Sequence, residues 1–265
     1  MRVISVLNLK GGVGKTTAAV NLAAAGAYAG RSVLLIDFDP QNSATDHLAH
    51  SAGQGDIAEV VHNDELLFGA ITPVKTSAPG ELHLIPSGEF RLSEAEVALQ
   101  ARGSKNRLRV ILSRLRGIKR SFDLVVVDTG PGLDFLWYNA LYAADIVLCP
   151  VELQMPALQG LRRFHQLVSF AAEEDGLSPE VLYVPTNNDG RLRESRDLLA
   201  VLHEQFGVYP EGKTLPAIRY SSALSKAYGQ RQSIFEFDPR DQAAEDCARL
   251  VHLILEMPHG KADNA

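Results

Sequence analysis

Asn8-Leu9-Lys10-Gly11-Gly12-Val13-Gly14-Lys15-Thr16-Thr17 is the stretch on which the reading of this chain turns. An apolar run of strand length, Arg2–Asn8, precedes it, and the helical Ala18-Ala19-Val20-Asn21-Leu22-Ala23-Ala24-Ala25 follows. Strand, glycine-rich turn and helix, in that order, make an anion site. Glycines let backbone N–H groups turn inward with no side chain in the way. The helix N-terminus adds partial positive charge where phosphates would lie. Lys15 can reach β and γ phosphates, and the Thr16 hydroxyl can ligate Mg²⁺. Gly11, Gly12, Val13, Gly14, Lys15, Thr16 and Thr17 are therefore the expected nucleotide contacts.

Outward from this loop, apolar runs of strand length alternate with stretches of helical period. The expected strands are Arg2–Asn8, Ser32–Asp37, Leu82–Pro86, Phe122–Asp128, Asp145–Val151 and Val181–Pro185. Several are nearly continuous in Val, Ile and Leu, as strands buried on both faces should be. The expected helices are Lys15–Ala29, Ser43–His50, Ile57–Phe68, Ser93–Gln100, Lys105–Ile118, Asp134–Ala143, Ala157–Glu173, Leu192–Phe206 and Asp241–Met257. This alternation reads as an α/β fold, doubly wound around a mainly parallel sheet. Residues 1–257 are expected to form one domain, with 258–265 as a C-terminal tail.

Composition excludes several classes. Of 265 residues 46% are hydrophobic and only 22% are charged, which excludes a disordered chain. No apolar run is long enough for a spanning helix, and the N-terminus lacks a signal-peptide pattern. Two cysteines, Cys149 and Cys247, are too few for a disulfide framework or a four-ligand zinc site. The expected location is the cytoplasm. The net charge of −6 argues against a surface that is basic all over, but not against a local basic patch.

In open parallel sheets, ligands sit at the carboxyl ends of strands. The second strand ends in Leu35-Ile36-Asp37-Phe38-Asp39-Pro40-Gln41. Carboxylates at i and i+2 share a face if the chain stays extended, so Asp37 and Asp39 could both approach the phosphates, with Phe38 turned away. Two such charges need a nearby Mg²⁺ or lysine. Leu124-Val125-Val126-Val127-Asp128 also ends in a carboxylate, in the manner of a Walker B strand whose Asp binds Mg²⁺ through water. Gly130 and Gly132 in the loop after it are expected to loosen that loop.

The strict phosphate-loop pattern wants Gly where this chain has Leu9, and a second lysine, Lys10, stands ahead of the glycines. Lys-Gly-Gly-x-Gly-Lys-Thr-Thr is the deviant Walker A form, and through it the chain resembles the ParA/MinD family of P-loop ATPases. Asp37-Phe38-Asp39-Pro40-Gln41 is similar to the family's Asp-x-Asp-Pro-Gln. So are Asn139-Ala140-Leu141-Tyr142-Ala143-Ala144-Asp145, Val147-Leu148-Cys149-Pro150-Val151 and Ala157-Leu158-Gln159-Gly160. The resemblance runs from Arg2 to about Leu255. With its first strand at Arg2, the chain looks like the short, Soj-like kind without a helix-turn-helix extension.

The resemblance implies an ATPase that dimerises with ATP and Mg²⁺. Lys10 would reach across to the partner's phosphates, Asp39 would orient the attacking water and help hold the metal's water shell, and Asp37 would support it. Residues 129–132 would sense the γ-phosphate. Adenine would be read by Asn187, in Thr186-Asn187-Asn188-Asp189-Gly190-Arg191, and by Leu215-Pro216-Ala217. Arg219, in Ile218-Arg219-Tyr220-Ser221-Ser222-Ala223-Leu224-Ser225-Lys226, looks like the arginine that binds DNA in Soj-like proteins. Arg191 lies near a second, and Lys226 is grouped with them. The implied partners are non-specific DNA of the nucleoid and a ParB-like activator with a basic N-terminal segment, in an ATPase that positions or segregates a cargo.

A separate basic run, Arg102, Lys105, Arg107, Arg109, Arg114, Arg116, Lys119 and Arg120, contains no acid. It reads as a solvated helix face or, in the alternative, as an auxiliary DNA contact or a face for an acidic partner. His47 and His50 are spaced for one turn of helix, but no third metal ligand is placed with them. Two rival readings are a MinD-like membrane switch and a metabolic or reductase-type P-loop enzyme. The first needs a cationic amphipathic terminal helix, whereas Asp241–Met257 carries Asp241, Glu245, Asp246 and Glu256. The second, in its iron–sulfur form, needs cysteines at strand ends.

Overall fold

The computed structural model describes residues 1–48, 55–116 and 122–258. Each expected strand forms: β1 (Arg2–Val6), β2 (Ser32–Phe38), β4 (Glu81–Ile85), β5 (Leu124–Thr129), β6 (Ile146–Glu152) and β7 (Glu180–Thr186). A further two-residue strand, β3 (Thr72–Pro73), pairs antiparallel with β4. The sheet order is β3-β4-β2-β5-β1-β6-β7, and every pairing except β3 with β4 is parallel. The helices are α1 (Lys15–Tyr28), α2 (Ser43–His47), α3 (Ile57–His62), α4 (Leu67–Ala70), α5 (Phe90–Ala101) and α6 (Arg107–Ser113). They continue with α7 (Phe135–Ala143), α8 (Met155–Asp175), α9 (Arg193–Phe206), α10 (Ser222–Gly229), α11 (Ile234–Phe237) and α12 (Gln242–Glu256).

Strand alternation divides the core into two layers. In β5, Leu124 and Val126 join Ala18, Leu22, Cys247 and Leu250 of α1 and α12 on one face. Val125 and Val127 join Leu92, Leu108, Trp137 and Phe164 of α5 to α8 on the other. A sheet with helices on both sides must be apolar in both directions, which is why its strands read as continuous Val, Ile and Leu. α1 lies especially close to the sheet. An ideal Cβ on Gly26 would stand 2.8 Å from Val33 Cγ2 and 3.1 Å from Leu124 Cδ1.

Several boundaries differ from the expectation, each for a local reason. The helix expected over Ile57–Phe68 breaks at Asn63, whose extended backbone and side chain cap a short 3₁₀ turn at Asp64–Leu66. Asn offers the backbone a competing hydrogen bond, here to the Glu65 N–H at 3.1 Å. α6 is shorter than Lys105–Ile118, and residues 117–121 lie outside the described residues, as do 49–50 at the end of the helix expected over Ser43–His50. α10 and α11 were not expected. Each starts at a serine cap: Ser221 accepts from the Ala223 N–H and Ser233 from the Glu236 N–H. No helix among the described residues is long and apolar enough to cross a membrane.

The parallel register fixes what comes together. Val6 and Asp37 both stand opposite Asp128 across the sheet, so β1, β2 and β5 end at one level. The loop after β1 and the acidic ends of β2 and β5 therefore face one another.

Candidate active site

Gly12 and Gly14 have φ of 76° and 86°, the left-handed region that glycine enters at no steric cost. A Cβ at Gly12 would meet nothing within 4 Å, so this side of the loop is open. Gly14 caps α1 without a side-chain acceptor, which leaves the first N–H groups of the helix for an anion. The loop is tied down around this opening. The Thr186 hydroxyl donates to the Val13 carbonyl at 2.9 Å, and Asn8 Nδ2 donates to the Pro150 carbonyl at 2.7 Å. Asn8 Oδ1 in turn accepts from the Lys10 N–H at 2.9 Å.

The two lysines point to different places. Lys15 is buried, and its Nζ donates to the Lys10 carbonyl at 3.1 Å. Burial lowers its pKa, while the charges of Asp128 and Asp39 offset part of that shift. Lys10 is half-buried, and its Nζ sits 3.4 Å from Glu152 Oε2.

Asp128 is wholly buried, and neither carboxylate oxygen has a hydrogen-bond partner. Burial pushes its pKa well up and the neighbouring Asp37 charge adds to this. Thr16 and Lys15 counter the shift, and Asp39 adds to it. Burial therefore favours the protonated carboxyl, which costs stability wherever the pH lies above the ordinary carboxylate range. The donors gathered here are a hydroxyl and carboxylate oxygens, from Thr16, Asp128 and Asp39. That set suits a hard divalent cation such as Mg²⁺, so the residues fit the ion that the sequence implies.

Asp37 does not stand free beside Asp39, as the i, i+2 spacing suggested. Its carboxylate accepts from the Thr45 N–H at 2.8 Å, the Thr45 hydroxyl at 2.6 Å and the Asp39 N–H at 3.3 Å. Burial raises its pKa to about 6 against those hydrogen bonds. It is a tether between β2 and α2. Phe38 turns into the core, as expected.

Asp39 sits on that tether. Its Oδ1 accepts from the Gln41 N–H at 2.9 Å, and its carbonyl accepts from the Ser87 hydroxyl at 2.6 Å. Burial raises its pKa, with the Gln41 N–H and Lys15 opposing. The loop after β5 approaches it directly: an ideal Cβ on Gly130 would lie 2.9 Å from Asp39 Oδ1. Gly130 thus provides a close approach, which corrects the expectation of mere looseness. Gly132, at φ 123°, does hold a backbone conformation that other residues avoid.

The expected base-reading residues also meet. Leu215 N–H donates to the Tyr183 carbonyl and Ile218 N–H to the Pro185 carbonyl, both at 2.8 Å, so Pro216 and Ala217 run beside the end of β7. Asn187 follows Thr186 there with φ 56° and an exposed side chain. Its neighbour Asn188 has a buried Oδ1 without a partner.

The expected DNA residues are placed less openly. Arg219 Nε and Nη2 grip Asp246 at 2.7 to 3.0 Å, and Nη2 reaches Glu245 at 2.9 Å. Arg219 thereby fastens its segment to α12. Arg191 pairs with Asp189 at 2.7 Å but stays 82% exposed, and Lys226 is exposed. The basic run is largely an internal ion-pair set. Arg107 and Arg114 both hold Asp64, Arg116 lies 3.6 Å from Asp145, and Lys105 4.0 Å from Asp175. Lys119 and Arg120 lie outside the described residues.

Cys149 and Cys247 are buried in different core layers, on opposite faces of the sheet, so they cannot bind one cluster. His47 Nε2 lies 2.9 Å from the Gln232 carbonyl, and His50 lies outside the described residues. Thr45, Ser87 and Glu152 escaped the sequence reading. Ser87 and Glu152 meet partners far away in the chain, Thr45 meets Asp37 across the turn after β2, and none carries a motif of its own.

Residues 1–179 match the AAA domain family. The chain is 33% identical over 250 residues to the sporulation initiation inhibitor protein Soj of Bacillus subtilis, covering 92% of this chain and 94% of that protein. It is 35% identical over 260 residues to the chromosome-partitioning ATPase Soj of Thermus thermophilus, covering 96% of each. Among solved structures, a Cyanothece McdA variant in complex with ATP superposes with a TM-score of 0.81 at 24% identity, covering 99% of each chain. That last likeness establishes the P-loop fold.

The Asp64 pairs yield a pH test. Arg114 and Arg107 hold the Asp64 carboxyl down to about 2. A depressed carboxylate stabilises the fold above its ordinary value near 4, and that contribution is lost as pH falls towards 2. Asp64→Asn is expected to lower the unfolding temperature at pH 7. Thermal scans from pH 7 to pH 2 are expected to show the gap from wild type closing below about pH 4.

Proposed function

The chain is an ATPase of the ParA/Soj family, and we propose that it works as an ATP-gated dimer that binds DNA without sequence preference and positions or segregates a cargo. The observation that carries this reading is the division between the two loop lysines. Lys15 lies in the phosphate cradle, whereas the Lys10 ammonium stands outside it on Glu152. A second cation at the loop that does not serve its own cradle is suited to serve another's. A cation lent across an interface neutralises charge that develops in phosphoryl transfer. In this reading residues 1–257 are the ATPase unit and 258–265 a tail.

The roles of the remaining residues follow from their places. Backbone N–H groups of residues 11–17 bind the phosphates, and Lys15 exchanges the Lys10 carbonyl for the β and γ phosphates. Thr16, Asp128 and Asp39 would hold Mg²⁺, which would supply charge neutralisation for the triphosphate. Asp39 orients the attacking water. The water oxygen bonds to the γ-phosphorus, the β–γ bridging P–O bond breaks, and ADP and phosphate leave. Asp37 and Ser87 keep Asp39 in place from below. Asn187, Pro216 and Ala217 read adenine.

DNA binding rests on Arg191, Arg219 and Lys226, doubled by the dimer. An exposed pair such as Arg191 with Asp189 is weak and yields to a phosphate. Arg219, gripped by Asp246 and Glu245, contributes less net charge and more rigidity. A ParB-like or cargo-adaptor protein with a basic segment accelerates hydrolysis, and the working place is the nucleoid in the cytoplasm. Membrane attachment through α12 is disfavoured. Its apolar residues Ala243, Ala244, Cys247, Leu250, Val251 and Ile254 are buried in the core, and Arg2 binds its terminal carbonyls at Ile254 and Met257.

Two measurements test this. Sedimentation with ATP and Mg²⁺ should show a dimer for wild type and a monomer for Lys10→Ala. DNA affinity should follow the dimer, with log K falling against log salt at a slope of roughly −4 to −5 if about four to six phosphates are neutralised. DNA binding that ignores salt, or a Lys10→Ala protein that dimerises and binds DNA like wild type, contradicts the reading. Gly130→Ala places a methyl group against Asp39 Oδ1. Steady-state kinetics should show kcat reduced about tenfold or more, with KM for ATP little changed.

A further inference from the structure

The lysine that the proposed dimer must lend is held at home by one specific acid. Lys10 Nζ sits 3.4 Å from Glu152 Oε2, at the end of β6. The other carboxylate oxygen of Glu152 accepts from Gln154 Nε2 at 2.9 Å, and the Gln154 N–H donates to the Glu152 carbonyl at 2.8 Å. The Lys10 backbone is fixed at both ends of the same network. Its N–H is held by Asn8, which is itself bound to the Pro150 carbonyl on β6, and its carbonyl is occupied by Lys15 Nζ. β6 and the phosphate loop thus hold residue 10 through three separate contacts.

We propose that Glu152 is a positioning residue that keeps Lys10 on its own protomer until nucleotide arrives, and so sets the threshold for pairing. This rests on the reading of Lys10 as the cation lent in trans. Arrival of a triphosphate draws Lys15 off the Lys10 carbonyl, which removes one of the three ties. Lys10 then exchanges a carboxylate partner for phosphate oxygens of higher charge. The exchange is reversible because the pair is half-hydrated: the side chains of Lys10 and Glu152 are 39% and 17% exposed. A pair of this kind is worth a small factor. After release, Glu152 keeps its Gln154 hydrogen bond and contact with water, so no charge is left buried and bare.

Glu152→Gln keeps the shape and removes the charge. In sedimentation with ATP and Mg²⁺ its dimer Kd is expected to fall about two- to fivefold below wild type. ATP affinity of the monomer, measured with a fluorescent ATP analogue at protein concentrations far below the dimer Kd, should not change. The difference in dimer Kd should shrink as salt is raised from about 0.1 M to about 1 M, since a half-exposed pair is screened. Glu152→Asp, which retains the charge, should return the dimer Kd towards wild type. Pairing of Glu152→Gln that equals or is weaker than wild type overturns the proposal, as does a monomer whose ATP affinity rises in step with pairing. If wild type pairs with ATP and Glu152→Gln matches it, the holding role fails alone. If wild type stays monomeric with ATP, the dimer reading fails and this proposal fails with it.

Discussion

The Asp128 carboxylate lies at the end of the central strand, cut off from water, with no hydrogen bond to either oxygen. Asp37 stands opposite it in the sheet, and the groups that counter its raised pKa are the Thr16 hydroxyl and the Lys15 ammonium. The rest of the site is arranged around this buried carboxyl. The parallel register brings three acidic positions to one level, and the left-handed glycines let the loop after β1 fold over them. Together they form a place whose donors and acids suit a divalent cation and a triphosphate.

The layout separates the tasks of residues that look equivalent in the chain. Asp37 and Asp39 are two residues apart, yet one is bound to Thr45 and the other faces the loop after β5. Lys10 and Lys15 belong to one loop, yet one lies over the acids and the other is on β6. Arg219 and Arg191 show the same division. The first is clamped onto α12 by Asp246, and the second projects into solvent with a neighbouring acid. In the Asp and Arg pairs one member holds the scaffold and the other stays open to a new partner, whereas the two lysines are held by different groups.

Much of this was legible in the sequence because it follows from periodicity and local chemistry. Continuous Val, Ile and Leu runs marked the buried strands, and the glycine-lysine-threonine run marked the start of α1. The acids at the strand ends were visible for the same reason, since a parallel sheet gathers its carboxyl ends. What the sequence concealed depends on contacts that no local pattern announces. Thr45 on Asp37, Ser87 on the Asp39 carbonyl and Glu152 on Lys10 join segments with no shared pattern. The basic run over residues 102–116 hid its partners for a related reason. Its acids, Asp64, Asp145 and Asp175, come from elsewhere in the chain, so the run looked more exposed in charge than it is. Gly130 read as slack because the side chain it makes room for, Asp39, arrives from another strand.

The Asp128 carboxyl, held towards its neutral form by burial, is kept for a cation brought in with ATP. Thermal unfolding of wild type and Asp128→Asn at pH 7, each with and without Mg²⁺ and ATP, tests it most directly. Without added Mg²⁺ and ATP, Asp128→Asn is expected to unfold at a higher temperature than wild type, and it is expected to lose most of the further rise that Mg²⁺ with ATP gives wild type. An empty Asp128→Asn protein less stable than wild type, with the full rise on adding Mg²⁺ and ATP, would contradict it.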